Sequence, residues 1–235
     1  MTESPQLIIH HLRLSQSERV IWLCEELEHP YQLKSYEREP VTSLAPASYK
    51  SLHPAGTAPV IEDGNITLGE SNAIFEYLLT KYDNASKLTL PPTHPNYPDY
   101  VFWLHHVNGS MQPALNGIMF AHLSSSKDTS KEPDLSAQHS QDRFDRSLAA
   151  MEAQLAKYPF LAGETFTAAD CMALFPLSTC RFFMPVSLEK YPNIVKYLQR
   201  IGERKAYQVA MEKADPGVKR PLGATAEASR TIGKA

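Results

Sequence analysis

The chain has 235 residues, of which 43% are hydrophobic and 21% charged, as is ordinary for a globular protein of one or two domains with a sizeable core. Its 23 basic and 26 acidic residues give a net charge of −3, which predicts no strongly basic face and argues against nucleic acid as a partner.

The three cysteines, Cys24, Cys171 and Cys180, lie in apolar stretches and form no Cys-x-x-Cys or Cys/His metal spacing. They are therefore predicted to be reduced core residues of a cytoplasmic protein without a metal site. Nothing before the first strand pattern resembles a signal peptide, and no apolar run approaches the roughly 18 residues that span a bilayer. No membrane span is expected.

The first third of the chain alternates between strand and helix patterns. The short apolar run Leu7–Leu12 indicates a strand, and apolar residues at helical spacing then follow Ser15 and end before Pro30. Tyr31–Tyr36 alternates like a half-buried strand, and Asn72–Tyr82 has one apolar helical face. With a hairpin before that helix, this order predicts a thioredoxin-like domain. The redox cysteine pair is missing, which argues against a thioredoxin function.

A linker and an all-helical region follow. The linker is rich in proline, serine, threonine and asparagine, and the first helix after it is predicted to run from Tyr97 to about Leu123. From Asp215 onward the chain has no periodicity and is predicted to be a flexible tail. The expected fold class is therefore α/β plus all-α. Its predicted parts are an α/β domain over 5–83, a linker over 84–96, an all-helical domain over 97–214 and a tail over 215–235.

The stretch from Gly56 to Asn72 combines several turn and capping signals. Pro59 precedes a short apolar run, as suits the first residue of a strand. Asp63-Gly64 between two apolar runs is a strong hairpin signal, and Ser71 is a natural N-cap for the next helix. The pattern predicts a strand, a tight turn, a second strand and a helix start. A hairpin leading into a capped helix with no ligand is the plain structural alternative.

This stretch, GTAPVIEDG…LGESNAIFEYL, resembles the glutathione-binding half of the cytosolic glutathione S-transferases. The resemblance implies a cis peptide bond before Pro59, a backbone hydrogen bond from Ala58 to glutathione, and recognition of the γ-glutamyl end by Glu70 and Ser71. Phe166–Asp170 resembles the buried N-capping motif of that family. The segments SQSERVIWLCEEL and NGSMQPAL are most similar to the fungal and bacterial branch that includes a membrane-associated yeast transferase.

The resemblance implies glutathione as co-substrate, a homodimer, and conjugation of the glutathione thiolate to a hydrophobic electrophile, either in detoxification or in secondary metabolism. Two alternatives stay open. One is a glutathione-dependent peroxidase or isomerase reaction at the same site, and the other is a non-catalytic binding module of the same fold.

Such an enzyme must ionise a thiol whose pKa is roughly 8.5 in water. In serine-type relatives a hydroxyl between the first strand and the first helix donates to the sulfur. Several classes place this serine five residues before the helix arginine, where this chain has Leu14; the fungal and bacterial branch places it four before, which gives Ser15. Ser17 is the second candidate. Alternatively, Ser15 and Glu18 form only a capping box.

The remaining site candidates also come from the resemblance. His53 is expected near the glycyl carboxylate of glutathione, and Thr57 occupies a position where relatives often have lysine or glutamine. Arg19 is expected to pair with a carboxylate within the fold. The electrophile pocket is expected along the first helix after the linker, although an aromatic and methionine stripe at helical spacing is more often core. The pocket candidates are Tyr100, Trp103, His106, Ser110 and Met111.

Overall fold

A computed structural model describes residues 6–124 and 135–227. A four-stranded mixed sheet with the order β2-β1-β3-β4 forms the first domain. The pair β1–β2 is parallel, whereas β1–β3 and β3–β4 are antiparallel. The elements of this domain are β1 Leu7–Leu12, α1 Glu18–Glu26, β2 Gln32–Tyr36, α2 Ala47–Lys50, β3 Val60–Asp63, β4 Ile66–Gly69 and α3 Ser71–Tyr82. The predicted thioredoxin-like order is confirmed.

The register of the sheet brings three chain ends to one edge. His10 of β1 lies opposite Val60 of β3, and Val60 lies opposite Gly69 of β4. Because β3 runs against both neighbours, the end of β1, the start of β3 and the end of β4 meet at the same edge. The loop after β1 and the start of α3 therefore lie together there.

Two of the predicted caps differ from the structure. Helix α3 begins at Ser71 with Glu70 as the residue before it, so Ser71 is the first helical residue and not the N-cap. Glu18 does not complete a capping box with Ser15, because its carboxylate accepts a hydrogen bond from Thr179 at 2.7 Å instead. The sequence pattern did not show that this glutamate turns inward toward the second domain.

The second domain is helical throughout its described part. Its elements are α4 Tyr97–His106, a π-helical turn Val107–Met111, α5 Gln112–Ser124, α6 Leu135–Leu155, α7 Ala168–Leu177, a 3₁₀ turn Thr179–Phe182, α8 Pro192–Gly202 and α9 Lys205–Ala214. The long helix predicted from Tyr97 is thus a continuous helical path that widens for one turn. The capping box at the start of α7 is confirmed, since the Thr167 amide donates to Asp170 Oδ2 at 2.9 Å. The sequence also predicts a polar break from Ser124 to Pro133, most of which lies outside the described residues.

Helix α1 joins the two domains. It packs against α3 of its own domain and against α7 and α9 of the other, and its residues from Glu18 to Cys24 are all buried. The hydrophobic core therefore runs without interruption from the sheet, through α1, into the helical bundle. Cys24, Cys171 and Cys180 are free, buried thiols in this core.

The segment after α9 differs from the predicted flexible tail over residues 215–224. Asp215 and Arg220 are buried. Arg181, also buried, donates hydrogen bonds to the carbonyl oxygens of Pro221, Gly223 and Ala224 at 2.9 to 3.1 Å. These contacts hold the segment against the helical domain, and Asp215, which accepts a hydrogen bond from Arg13, holds it against the first. Residues 228–235 lie outside the described part. Among the described helices, none combines the length and hydrophobicity that crossing a bilayer requires.

Candidate active site

The loop between β1 and α1 presents two hydroxyls at the shared sheet edge. The Oγ atoms of Ser15 and Ser17 are 2.7 Å apart, and the two residues are 5% and 0% exposed. The amide of Glu18 donates to the Ser15 carbonyl at 3.2 Å, so the serines form the turn from which α1 begins. They therefore lie at the positive end of a helix, where negative charge is stabilised.

Ser17 is bound more tightly into the protein than Ser15. Its Oγ lies 2.8 Å from His11 Nδ1 and 3.4 Å from the Leu12 carbonyl oxygen. Among the described residues, Ser15 Oγ hydrogen-bonds only to Ser17, through the Ser17 hydroxyl and, at 3.3 Å, the Ser17 amide. Of the two hydroxyls, Ser15 is the one with capacity for an additional partner.

Asp215 closes this polar cluster from the segment after α9. Its carboxylate accepts hydrogen bonds from Arg13 Nε at 3.1 Å, from the Leu14 amide at 3.2 Å and from Arg220 at 2.6 Å. His11 Nε2 lies 3.5 Å from Oδ2. Burial alone would raise the pKa of Asp215, but the nearby His11, Arg220 and Arg13 outweigh it and hold the pKa at about 2. The carboxylate is thus ionised throughout the physiological range.

The same edge carries the residues of the hairpin motif. The Ala58–Pro59 peptide bond is cis, as the resemblance implies. Ala58 is half-buried and Thr57 exposed. Glu70 is exposed and has a φ of 70°, in the left-handed region that non-glycine residues rarely adopt. Ser71 follows, buried at the N-terminus of α3, where free amide groups favour an anion.

His53 packs directly beside this motif. Its Nδ1 accepts a hydrogen bond from the Ala55 amide at 3.2 Å, which leaves Nε2 for another partner. A Cβ atom added at Gly69 would lie 3.0 Å from His53 Nδ1, so a side chain at the end of β4 would crowd the ring. His53 therefore borders Glu70 and the start of α3, the side of the site where the resemblance expects a glutathione carboxylate.

Comparisons with known proteins agree with this geometry. Residues 7–86 match the model of the family described as "Glutathione S-transferase, N-terminal domain", and residues 112–205 match "Glutathione S-transferase, C-terminal domain". Glutathione S-transferase 3 of Schizosaccharomyces pombe is 31% identical over 231 residues, which cover 89% of this chain and 88% of that protein. The chain belongs to the glutathione S-transferase family.

Solved structures support the assignment of this transferase. A glutathione S-transferase of Actinobacillus pleuropneumoniae is 33% identical, with a TM-score of 0.78 over 89% of this chain and 93% of that one. A glutathione transferase of Phanerochaete chrysosporium, solved with oxidized glutathione, is 22% identical, with a TM-score of 0.67 over 91% of this chain and 98% of that one. The second likeness shows the fold alone.

The residues predicted to line the electrophile pocket of the transferase do not form an open pocket. Tyr100, Trp103 and Met111 are 6%, 3% and 0% exposed and belong to the core of the bundle. His106 Nε2 lies 3.0 Å from Ser147 Oγ of α6, and Ser110 lies beside Arg143 of the same helix. Tyr100, Trp103 and Met111 are thus core residues, as the alternative interpretation of the apolar stripe predicted, whereas His106 and Ser110 lie beside α6.

A different face of the same helical path contacts the first domain. Asn72, at the start of α3, donates to the Leu104 carbonyl oxygen at 3.3 Å and lies 3.0 Å from His105 Nδ1. Arg19 of α1 donates to Asn108 Oδ1 at 3.0 Å. The sequence-based choice of pocket residues missed this face because apolar periodicity identifies the buried side of a helix, whereas a pocket between domains requires its polar side.

Arg19 has a neutral partner where a carboxylate was predicted. Its guanidinium contacts the side-chain oxygens of Gln16 and Asn108 and is 1% exposed. Burial lowers the pKa of Arg19 to about 9, although the nearby Glu18 opposes the effect. The prediction of an Arg19–carboxylate hydrogen bond is therefore wrong. Asn108, within the π-helical turn, supplies this contact between the domains.

Proposed function

We propose that this transferase binds glutathione at the sheet edge formed by the end of β1, the start of β3 and the start of α3. The Ser15 hydroxyl stabilises the glutathione thiolate, which then attacks a hydrophobic electrophile. The observation that carries the proposal is the Ser15 hydroxyl itself. It has capacity for one more partner, it lies at the start of α1, and it shares the edge with Ala58 and Ser71.

The chemistry follows from the low acidity of a thiol. A free thiol has a pKa of roughly 8.5 and is mostly protonated at neutral pH. A hydrogen bond from Ser15 and the positive end of α1 both favour the charged form, and lowering the pKa by about two units makes thiolate the main species. Glutathione supplies the nucleophile, so the protein needs only to ionise and orient it.

The roles of the other residues follow from their positions. The Ala58 backbone would bind the cysteinyl part of glutathione, and Glu70 with Ser71 would hold the γ-glutamyl end. His53 and Thr57 border the glycyl end. Ser17 supports Ser15 and does not replace it, because its own hydroxyl is already engaged by His11 and Leu12. No metal takes part in this scheme.

The electrophile would bind where α4 and the π-helical turn face the first domain. His105 and Asn108 lie on that face. The earlier candidates Tyr100, Trp103 and Met111 are not included, because they are buried in the core. We further propose a cytoplasmic homodimer of the fungal and bacterial branch, in detoxification or secondary metabolism. The fission yeast and bacterial relatives support the choice of branch.

The test is a pH titration of the ultraviolet thiolate band of glutathione bound to the protein. We expect the band to appear with a midpoint about two units below the roughly 8.5 of the free thiol. Binding without a shifted band would contradict conjugation and favour a binding module. A shifted band with turnover of hydroperoxides but not of carbon electrophiles would favour the peroxidase alternative.

Replacing Ser71 by alanine should weaken glutathione binding by roughly ten- to a hundredfold. The variant removes one hydrogen bond to a charged group, and such bonds contribute about 1.5–3 kcal/mol. Isothermal titration calorimetry measures the change. Ser187→Ala, at an exposed serine of the helical domain, is the matched control and should bind as the wild type does. Equal affinities for the wild type and Ser71→Ala would contradict the assigned role.

A further inference from the structure

A row of buried polar side chains leads inward from Ser15. Ser15 Oγ lies 2.7 Å from Ser17 Oγ, which lies 2.8 Å from His11 Nδ1. On the other side of the ring, His11 Nε2 lies 3.5 Å from Asp215 Oδ2. All four residues are at most 5% exposed. The row therefore connects the proposed thiol site to a buried carboxylate through one titratable imidazole.

Apart from the longer contact of the Ser17 hydroxyl with the Leu12 carbonyl oxygen at 3.4 Å, the hydrogen bonds of this row have two possible directions. When Nε2 carries the only ring proton, that N–H faces Asp215, and Nδ1 accepts from Ser17. Ser17 then accepts from Ser15, and the free lone pair of Ser15 faces the substrate thiol. When the ring carries both protons, Nδ1 donates to Ser17, Ser17 donates to Ser15, and Ser15 donates to sulfur. A shift of one proton along the row converts the first arrangement into the second.

We propose that His11 takes up the thiol proton of glutathione through Ser15 and Ser17, with Asp215 stabilising the resulting imidazolium. The inference rests on the proposed function. The S–H bond breaks and its electron pair stays on sulfur. Ser15 receives this proton and passes its own to Ser17, which passes its own to His11 Nδ1. One N–H bond forms, no atom is oxidised or reduced, and every hydroxyl ends in the direction that stabilises thiolate.

Asp215 makes this transfer feasible. In water an imidazole is a weaker base than a thiolate by roughly two pH units, so the site must favour the imidazolium–thiolate pair. A buried, ionised carboxylate beside Nε2 does so, as does the attraction between the imidazolium and the thiolate. The charged groups around His11 are Asp215 and Glu18, with Arg220 and Arg13 bonded to them. Ser17 and His11 are thereby positioning residues that act through Ser15.

The cycle also closes. Once the thioether has formed, sulfur no longer carries a negative charge, and the imidazolium loses its counter-charge. The proton then returns along the same hydroxyls to Ser15 and leaves with solvent or with the departing group of the electrophile. Because the His11 side chain is fully buried, the proton can travel between His11 and the site only along this row of hydroxyls.

The test counts the protons released when glutathione binds. Calorimetry in buffers of different ionisation enthalpy, from pH 6.5 to 8, gives the protons released, and the ultraviolet band of the same samples gives the thiolate formed. S-methylglutathione, which has no thiol, corrects for the other groups. If His11 keeps the proton, the wild type should release far less than one proton for each thiolate formed.

A matched pair of variants separates the relay from simple packing. In His11→Asn the amide nitrogen can replace Nδ1 as a donor to Ser17 but cannot take up a proton. This variant should still form thiolate, and it should release about one proton for each. His10→Asn alters a neighbouring buried histidine that bonds Tyr36 and faces Glu62 instead, and it should behave as the wild type does.

Three results would overturn the inference. Release of about one proton per thiolate by the wild type would show that the thiol proton leaves to solvent, while the proposed function would stand. Equal release by the wild type and a folded His11→Asn variant would exclude His11 as the acceptor. Glutathione binding without a thiolate band, or no binding, would overturn the proposed function and the inference with it. If His11→Asn does not fold, the wild-type count decides alone.

Discussion

Ser15→Ala is expected to lower kcat/KM for conjugation by about a hundredfold or more at neutral pH. Removing one preorganised donor to a developing or full anion typically costs on the order of 10²–10³ in rate. Without the hydroxyl, the pKa of the bound thiol should rise toward the roughly 8.5 of free glutathione, opposed only by the positive end of α1, so the loss should shrink as the pH increases. Initial rates against pH, with a panel of hydrophobic carbon electrophiles, measure both effects.

Two further variants make this result specific. Ser17→Ala should reduce the rate less, because Ser17 contacts the thiolate only through Ser15 in the proposed scheme. Ser187→Ala in the helical domain should leave the pH profile unchanged. A Ser15 variant with the wild-type profile, together with a Ser17 variant that loses it, would assign the thiolate contact to Ser17 instead.

Asp170→Ala is expected to destabilise the fold by about 3–5 kcal/mol. The Asp170 carboxylate accepts hydrogen bonds from the Leu161 amide at 3.0 Å, from the Thr167 amide at 2.9 Å and from the Tyr197 hydroxyl at 3.1 Å. Each buried donor left without a partner costs about 1–3 kcal/mol, and the cap of α7 is lost as well. Urea unfolding at pH 7 measures the change.

The charge of the same side chain makes stability depend on pH. Burial outweighs its hydrogen bonds and raises the pKa of Asp170 from 3.8 to about 6. The folded state therefore holds this proton more tightly than the unfolded state, and the resulting stability is full below about pH 4. This contribution to the free energy of unfolding, roughly 3 kcal/mol in all, is lost as the pH rises toward about 6.

Asp170→Asn should remove this pH-dependent part of the free energy of unfolding. The exposed Asp145→Asn variant is the control and should keep the slope of the wild type. The measurement is the urea midpoint at several pH values between 4 and 7. Parallel curves for the wild type and Asp170→Asn would show that Asp170 titrates at the same pH in the folded and unfolded states.

The parts of the structure that the sequence predicts are those decided by local chemistry. Asp63-Gly64 predicts the hairpin because few residues tolerate its turn, and Thr167 with Asp170 predicts the α7 cap because the two partners lie three residues apart. The thioredoxin-like order of strands and helices follows from the spacing of apolar residues along the first domain, which alternates between strand-like and helix-like. In each case the residues that interact are close in sequence.

The site residues that the sequence does not predict depend on distant partners. His11 reads as an ordinary strand residue, and nothing nearby shows that Asp215 faces its ring. Glu18 fits a capping box equally well, and only the fold reveals that Thr179 takes its carboxylate. The choice of the wrong pocket residues has a related cause. The spacing of Trp103 and Met111 defines one face of the helix, but it does not show which other element packs against that face.

The closure of the site by Asp215 has a consequence for how the protein is made. Asp215 contacts Arg13 across 202 residues, and Arg220 reaches Glu18 over the same separation. At about 5–20 residues per second, a ribosome adds that length in roughly 10–40 s. Until then Arg13 and Glu18 lack the partners that Asp215 and Arg220 supply in the folded chain. The proposed thiol site of the first domain therefore becomes complete only after the entire helical domain has been synthesised and folded back over it.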